Sequence, residues 1–207
     1  MLPYNEWKFL YPPRPELAIP SDTIDFYEKQ GYVAQVKKNG TCTLIGVDPR
    51  GQLHTLTRHN APHIQWKPDA QSPALRALTR LTGWHVFEAE VLHSKTQGIK
   101  DTVYLFDILV HNSQQLVGTT WFERMQLLQQ IFRPGPAQAG SHQLDDRLFL
   151  AQTLTRGLRK TWQQLQAPED EGIVLKSPDA RLKLCSKIDS NSSWQVKCRR
   201  PAANYSY

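Results

Sequence analysis

The sequence has few cysteines and lacks the patterns that mark membrane, secreted and zinc-binding proteins. Its 207 residues include three cysteines, Cys42, Cys185 and Cys198, and no two are spaced as Cys-x-x-Cys, so neither a disulfide framework nor a zinc site is predicted. No apolar run approaches the roughly 20 residues that span a bilayer, and the first residues lack the apolar centre of a secretory signal. We therefore expect a soluble, cytoplasmic protein with no membrane partner.

Glycine-rich phosphate-binding loops of the dinucleotide and Walker types are absent as well, which argues against a doubly wound sheet. A hydrophobic content of 40% and a charged content of 21% are those of a folded globular protein. A chain of 207 residues is long enough for one well-packed core and short for two. We therefore expect a single domain that spans residues 1–207.

Negative charge is scarce in the last part of the chain. The formal net charge is +6, and residues 176–200 carry seven basic side chains against two acidic ones. Such a surplus suits a polyphosphate or a nucleic-acid backbone. A solvated basic surface has the same composition, so charge alone leaves both interpretations open.

The hydrophobic pattern predicts an α+β fold of mostly antiparallel sheets flanked by helices. Residues 1–20 contain five prolines and are predicted to form an irregular arm, and the glycines and prolines of 133–141 predict a loop. Helices are predicted at four places, namely 23–30, 72–83, 120–132 and 155–166. Strands are predicted at seven, namely 32–37, 41–47, 53–57, 84–92, 102–110, 171–176 and 194–199.

Two short motifs in the first half of the chain combine charge with strand pattern. Lys37 and Lys38 precede Asn39-Gly40, and Asn-Gly between two β-rich runs predicts a tight hairpin turn. The lysines are either solvated turn charges or a nucleophile with its neighbour. Residues 88 and 90 are both glutamates on one face of a strand, which indicates either a divalent-metal site or a solvated face.

Two further motifs lie in the second half. The segment EGIVLK places Glu171 before a buried strand and Lys176 at its far end, and WQVKCRR places Lys197 and Arg199 two residues apart. Because side chains alternate along a strand, Lys197 and Arg199 point the same way. Each segment, taken alone, is also what an exposed basic strand would show.

The order of these motifs over residues 30–200 resembles that of the covalent nucleotidyltransferase superfamily. This superfamily includes ATP-dependent DNA and RNA ligases and mRNA capping enzymes. The resemblance implies the nucleotidyltransferase fold of a ligase adenylation domain. EGIVLK is closer to ligases than to capping enzymes, so the resemblance implies ATP as the nucleotide and a nucleic acid with a 5′-phosphate end, at a nick or a single-strand end, as the partner.

The resemblance also implies roles for single residues. Lys37 matches the lysine of the K-x-D-G motif, which attacks the α-phosphate and keeps AMP as a phosphoramidate, whereas Lys38 falls at the variable position. Glu90 and Glu171 match acidic positions that would hold Mg²⁺ or Mn²⁺. The resemblance places eight residues against the nucleotide: Gln35, Gly40, Arg58, Glu90, Phe106, Lys176, Lys197 and Arg199. Among these, Phe106 would stack on the purine, Arg58 would face the ribose, and Lys197 and Arg199 would grip the α-phosphate.

Three departures from the family pattern affect these expectations. Asn39 replaces the usual aspartate, and Gln35 stands where a glutamate often accepts from the adenine amino group. The chain ends eight residues after Arg199, where ligases of this superfamily usually continue into an OB domain. We therefore expect a monomer without an OB domain, helped by a partner in trans.

The sequence thus predicts an ATP-dependent polynucleotide ligase, with DNA or RNA as its substrate. Two alternatives stay open. A catalytically degenerate domain could bind nucleotides or nucleic-acid ends without chemistry, which the change at Asn39 favours. A capping-type guanylyltransferase would use GTP in place of ATP, and the amide of Gln35, which can accept or donate, is compatible with either purine.

Overall fold

Two β-sheets carry most of the described chain, which in this computed structural model comprises residues 11–59, 61–63, 66–68, 75–185 and 190–201. The four α-helices found there are α1 (Ile24–Lys29), α2 (Arg76–Thr79), α3 (Trp121–Phe132) and α4 (Leu158–Gln164). The strands are β1 (Arg14–Ala18), β2 (Val33–Lys38), β3 (Thr41–Val47), β4 (Leu53–Thr57), β5 (His85–Leu92), β6 (Thr102–His111), β7 (Gln114–Gln115), β8 (Ser141–Gln143), β9 (Leu148–Ala151), β10 (Asp170–Lys176) and β11 (Asn191–Arg199).

The smaller sheet has the strand order β1-β11-β10-β2. β10 is antiparallel to both β11 and β2, and β1 runs parallel to β11 at the edge. α1 and α4 cover one face, where Ile24 and Leu158 are fully buried with Ile173 and Leu175 of β10. The alternation of apolar and charged residues along β2 and β10 therefore gives this sheet one core face and one face that is free to carry charged side chains.

The larger sheet has the order β4-β3-β5-β6-β9-β8, with β7 paired to β6. α3 packs on it through Trp121, Met125 and Leu128, which join the main hydrophobic core. This helix begins where a capping box satisfies its first N–H groups, because Thr120 and Glu123 exchange hydrogen bonds between their side chains and backbones. The α+β fold with mostly antiparallel sheets is as predicted.

The predicted hairpin at Asn39-Gly40 is wrong. β2 pairs with β10 in the smaller sheet, whereas β3 pairs with β4 and β5 in the larger one, so residues 39–40 form a crossover between sheets. Neither residue is among those with positive φ, which the tight type I′ turn requires. Glycine is needed at position 40 for another reason, because a Cβ there would lie 2.5 Å from the Val91 carbonyl oxygen.

Three other predictions need correction. Residues 14–18 of the predicted irregular arm form β1, where the proline at 15 is tolerated because the strand lies at a sheet edge; residues 1–10 lie outside the described part. β8 begins at the end of the predicted 133–141 loop, and β9 was not predicted. The helix predicted at 72–83 is found over Arg76–Thr79, and its first residues, 72–74, lie outside the described ranges.

No described helix is long and apolar enough to cross a membrane.

Candidate active site

A cavity of about 530 Å³ lies where the two sheets face each other, lined by strands of both. Its size is in the range of small-molecule and nucleotide sites. Ten residues singled out from the sequence line it: Gln35, Lys37, Gly40, Arg58, Glu90, Phe106, Glu171, Lys176, Lys197 and Arg199. The structure therefore brings all of them together, although their individual roles stay predictions.

Lys37 lies at the centre of an ionic cluster on this cavity. Its Nζ donates to Glu171 Oε2, and the other carboxylate oxygen of Glu171 forms an ion pair with Arg199 Nε at 2.6 Å. The Glu171 side chain is only 6% exposed, whereas the Lys37 side chain is 19% exposed. Glu171 thus holds the amine of Lys37 in place while leaving part of it accessible.

Lys38, the next residue, has a different environment. Its Nζ donates to Asp170 Oδ1 at 2.6 Å, and both side chains are almost completely buried. The ammonium also lies 4.8 Å from the centre of the Tyr104 ring. Burial raises the pKa of Asp170, although Lys38 opposes the shift, and burial with nearby carboxylates raises the pKa of Tyr104 to about 12.

Lys37 is partly exposed and Lys38 is buried because the pairing of β2 with β10 is irregular. Lys38 is opposite Asp170 and Lys37 is opposite Gly172, so Glu171 is an extra residue in β10, a β-bulge. Gly172 has a φ of +148°, and a Cβ on it would lie 2.0 Å from the Cys198 carbonyl oxygen of β11. Only glycine therefore fits at position 172.

Positive charge beyond Lys37 surrounds the same part of the cavity. The pKa of Lys197 is lowered, first by burial and then by the nearby charges of Arg199 and Lys37, with Glu171 acting in the opposite direction. An anion beside such a lysine stabilises its ammonium form. This end of the cavity therefore favours an anion.

Lys176 lies at another part of the cavity, next to aromatic side chains. Its Nζ donates to Gln35 Oε1 at 2.8 Å and lies 5.0 Å from the Phe106 ring and 5.2 Å from the Trp121 ring. Gln35 Nε2 in turn donates to Met125 Sδ at 3.5 Å. An ammonium can only donate hydrogen bonds, so Lys176 fixes which end of the Gln35 amide faces it.

A network of buried charged side chains lies next to this aromatic part of the cavity. Arg124 is 1% exposed and binds both carboxylate oxygens of Asp107, at 2.7 and 2.9 Å. Glu88 is 3% exposed, and its pKa is raised well above its usual range by burial and by Asp107, while Lys176 opposes the shift. Glu88 therefore belongs to a buried network and not to an open metal site.

Glu90 and Glu171 are the pair predicted to hold a metal ion. Burial raises the pKa of Glu90, and Glu171 contributes in the same direction, so the two carboxylates lie close enough to repel each other. Mg²⁺ is usually held by one or two carboxylates together with substrate phosphates, and this pair fits that requirement. Within the described ranges, no group of three or more metal-binding side chains occurs.

Sequence reasoning missed two residues at the crossover, Lys95 and Thr96. Lys95 Nζ donates to the Gly40 carbonyl at 2.6 Å, and Thr96 Oγ1 donates to the Asn39 carbonyl at 2.8 Å. On the opposite side, Gly40 N donates to Glu90 Oε1 at 3.0 Å. Lys95 and Thr96 lie in a polar segment after β5 with no periodic pattern, so no local signal marked them.

Comparison with known proteins relates this site to ligases. A family model for the ATP-dependent DNA ligase domain matches residues 65–194. No curated protein sequence matches the chain.

Among solved structures, the ligase domain of LigD from M. tuberculosis superposes with a TM-score of 0.65 at 17% identity, covering 93% of this chain and 60% of that one. The ATP-dependent DNA ligase of bacteriophage T7, in complex with ATP, gives 0.51 at 16% identity, over 92% of this chain and 68% of that one. A Lig E DNA ligase gives 0.52 at 15% identity, over 90% and 68%.

At such identities these likenesses concern the fold, and they confirm the predicted nucleotidyltransferase fold of a ligase adenylation domain. The chain spans about three fifths of the length of the M. tuberculosis ligase domain.

Proposed function

Because the chain belongs to the family of ATP-dependent DNA ligase domains, we propose that it joins nucleic-acid ends through a covalent AMP adduct on Lys37. The observation that carries this proposal is the contrast between neighbouring lysines. Lys37 faces the cavity with its amine held by Glu171, whereas Lys38 is buried against Asp170. This difference in exposure supports Lys37 as the lysine that reaches the nucleotide.

In the first step the amine of Lys37 attacks the α-phosphorus of ATP. A phosphorus–nitrogen bond forms, and the bond to the β-phosphate oxygen breaks to release pyrophosphate. The lysine must lose a proton to become a nucleophile, and a water in the cavity would take that proton while the Glu171 carboxylate, hydrogen-bonded to Nζ, holds the amine in place. Lys197 and Arg199 offset the charge that builds on the phosphoryl oxygens.

In the later steps the nucleic acid takes over the AMP group. An oxygen of its 5′-phosphate attacks the bound AMP, and the phosphorus–nitrogen bond breaks and restores the lysine. A 3′-hydroxyl then attacks the activated 5′-phosphate, a phosphodiester bond forms, and AMP leaves. The positive excess of the chain, +6 overall, favours association with a nucleic-acid backbone of either kind, DNA or RNA.

Mg²⁺ or Mn²⁺ would be held by Glu90 and Glu171, and when bound it would neutralise phosphate charge during the displacement. Glu90 also accepts from Gly40 N, so the same carboxylate that offers an oxygen to the metal keeps the crossover against β5. Arg58 also lines the cavity, and its guanidinium would face the ribose.

The nucleobase end supports ATP over GTP. Lys176 requires the oxygen of the Gln35 amide to face it, which leaves that oxygen with one further lone pair to accept a hydrogen bond. The amino group of adenine can donate to it, whereas guanine presents a carbonyl oxygen at the same ring position. Phe106, against which the Lys176 ammonium packs, offers the face on which the purine would stack.

Covalent labelling tests this proposal. Wild-type protein incubated with α-³²P-labelled ATP should keep label after denaturing electrophoresis, and label from GTP should be much weaker. Lys37→Arg should abolish labelling while preserving the ion pair with Glu171, because an arginine stays protonated and cannot attack. Lys38→Arg, which keeps a cation beside Asp170, is the matched control and should retain label.

Retention of label in the Lys37→Arg protein would refute the assignment of the nucleophile. A wild-type protein that binds ATP without taking label would instead identify the non-catalytic alternative. Adding nicked duplexes with DNA or RNA strands on either side of the nick then determines which strands are sealed.

A further inference from the structure

Lys95 is a cavity residue that the proposed reaction leaves without a role. It lies just after β5, and its Nζ donates to the carbonyl of Gly40 at 2.6 Å. The next residue, Thr96, is 5% exposed and anchors the same segment to the Asn39 carbonyl. Two consecutive side chains therefore fix this segment against the crossover that follows Lys37.

The ammonium of Lys95 has binding capacity to spare. It has three donors, of which the contact with Gly40 uses one. Among the described residues, none of the acidic side chains forms an ion pair with it within 4.0 Å. The residue lines the same cavity as Lys37, so an anion in the cavity is the natural partner for the remaining donors.

Glu90 and Gly40 link Lys95 to the part of the cavity that contains Lys37. Glu90 Oε1 accepts from Gly40 N at 3.0 Å, and Lys95 Nζ donates to the carbonyl of the same residue at 2.6 Å, so one residue of the crossover contacts both side chains. Lys95 is thus a second cation near the carboxylate beside which the α-phosphate would sit. The side chain at position 39 is a neutral amide, which adds no negative charge at the crossover to offset Lys95.

The charge of the whole cavity agrees with a ligand that carries several phosphates. Eight basic side chains line it against four acidic ones. One of the eight, Lys38, is neutralised by Asp170 outside the cavity, and the excess that remains is larger than a single phosphate group needs. A cavity of this kind attracts polyphosphates and concentrates them near its walls.

We propose that Lys95 binds a second phosphate group next to the α-phosphate, an inference that rests on the proposed function of the same cavity. Two phosphates meet this description. One is the β,γ-diphosphate of ATP, which leaves as pyrophosphate, and the other is the 5′-phosphate of the nucleic acid, which arrives to take the AMP. Both are anions that an ammonium with free donors binds through charge-assisted hydrogen bonds.

Kinetics of the two half-reactions distinguish these sources. Lys95→Met keeps most of the side-chain volume and removes the charge, Lys95→Arg restores a cation, and Lys100→Met removes one charge from a nearby residue outside the cavity lining. One arm measures single-turnover labelling over a range of ATP concentrations. The other mixes pre-labelled protein with nicked nucleic acid carrying a 5′-phosphate and follows transfer of AMP.

If Lys95 binds the diphosphate, Lys95→Met should slow labelling and its reversal by pyrophosphate about tenfold to a hundredfold, the range expected for one charged hydrogen bond. If it binds the 5′-phosphate, transfer of AMP should slow by that factor and labelling should not. Lys95→Arg should recover most of either loss. If the rates of labelling and of AMP transfer in Lys95→Met are both within about twofold of those in Lys100→Met, the proposal is overturned.

Equilibrium binding separates this proposal from the proposed function. Calorimetric titration with ATP and with adenosine needs no covalent step, so it reads phosphate contacts even in a protein that takes no label. If labelling is absent but Lys95→Met weakens ATP binding about tenfold without changing adenosine binding, the ligase proposal fails and the role of Lys95 stands. Equal ATP affinity in wild-type and Lys95→Met proteins, with no effect in either kinetic arm, overturns the inference.

Discussion

Replacing Lys38 with methionine is expected to destabilise the fold strongly, although Lys38 takes no part in the proposed chemistry. The side chains of Lys38 and Asp170 are 5% and 6% exposed, and their charged atoms lie 2.6 Å apart. Methionine fills a similar volume but leaves the Asp170 carboxylate buried without its cation. Removing one partner of such a buried pair costs about 3–5 kcal/mol of unfolding free energy.

The loss should depend on pH in a defined direction. Burial already raises the pKa of Asp170 in the presence of Lys38, which acts to lower it, so removing Lys38 raises that pKa further. A folded-state carboxyl pKa above the unfolded value of about 3.9 means that the folded protein binds the proton first, so stability increases as the pH falls through the raised pKa. The difference between variant and wild type is therefore largest at neutral pH and shrinks at acidic pH.

Urea denaturation at pH 7 and pH 5, followed by circular dichroism, measures both effects. The double variant Lys38→Met/Asp170→Leu is the control, because replacing both partners by apolar side chains should recover most of the loss. A destabilisation below about 1 kcal/mol at pH 7, or one that does not change with pH, would refute the reasoning.

Two other substitutions test contacts that hold the site together. Arg124→Met should cost about 3–5 kcal/mol in urea denaturation because it leaves the buried Asp107 carboxylate without its bidentate partner; a loss below about 1 kcal/mol would contradict this. Gly172→Ala should cost at least about 3 kcal/mol, since the new Cβ meets the Cys198 carbonyl at 2.0 Å, whereas Gly135→Ala, with nothing within 4 Å, should stay within about 0.5 kcal/mol of wild type.

Strands whose pattern is local could be predicted from the sequence. β3 and β4 have the predicted bounds, 41–47 and 53–57, because turn-forming residues delimit them and β-branched or apolar residues fill them. β9 was missed because it is four residues long. Its local partner β8 has only three residues, and its other partner, β6, pairs with it in parallel from more than 40 residues earlier. β1 was missed because Pro15 and the prolines that flank the strand indicated an irregular arm, and the pairing that makes it a strand comes from β11, near the other end of the chain.

In the cavity, too, the residues could be predicted from the sequence, whereas their contacts with distant residues could not. Its ten predicted residues could be found because the order of short motifs in the sequence resembles that of the nucleotidyltransferase superfamily. Their partners could not, since Asp170 lies 132 residues from Lys38 and Lys95 lies 55 residues from Gly40. The Asn-Gly signal failed for a related reason: a local preference for a hairpin gave way to separate pairing of β2 and β3 with strands of different sheets.

One extra residue in β10 explains why two adjacent lysines have such different environments. Without the bulge at Glu171, β10 would place single residues opposite Lys37 and Lys38, and one carboxylate at most would face each sheet surface there. With it, Asp170 stays opposite Lys38 while Glu171 is free to hold Lys37 and Arg199. The bulge is possible only because Gly172 lets β11 approach closely, so one glycine underlies the separation of the buried Lys38 from Lys37, the lysine proposed to react.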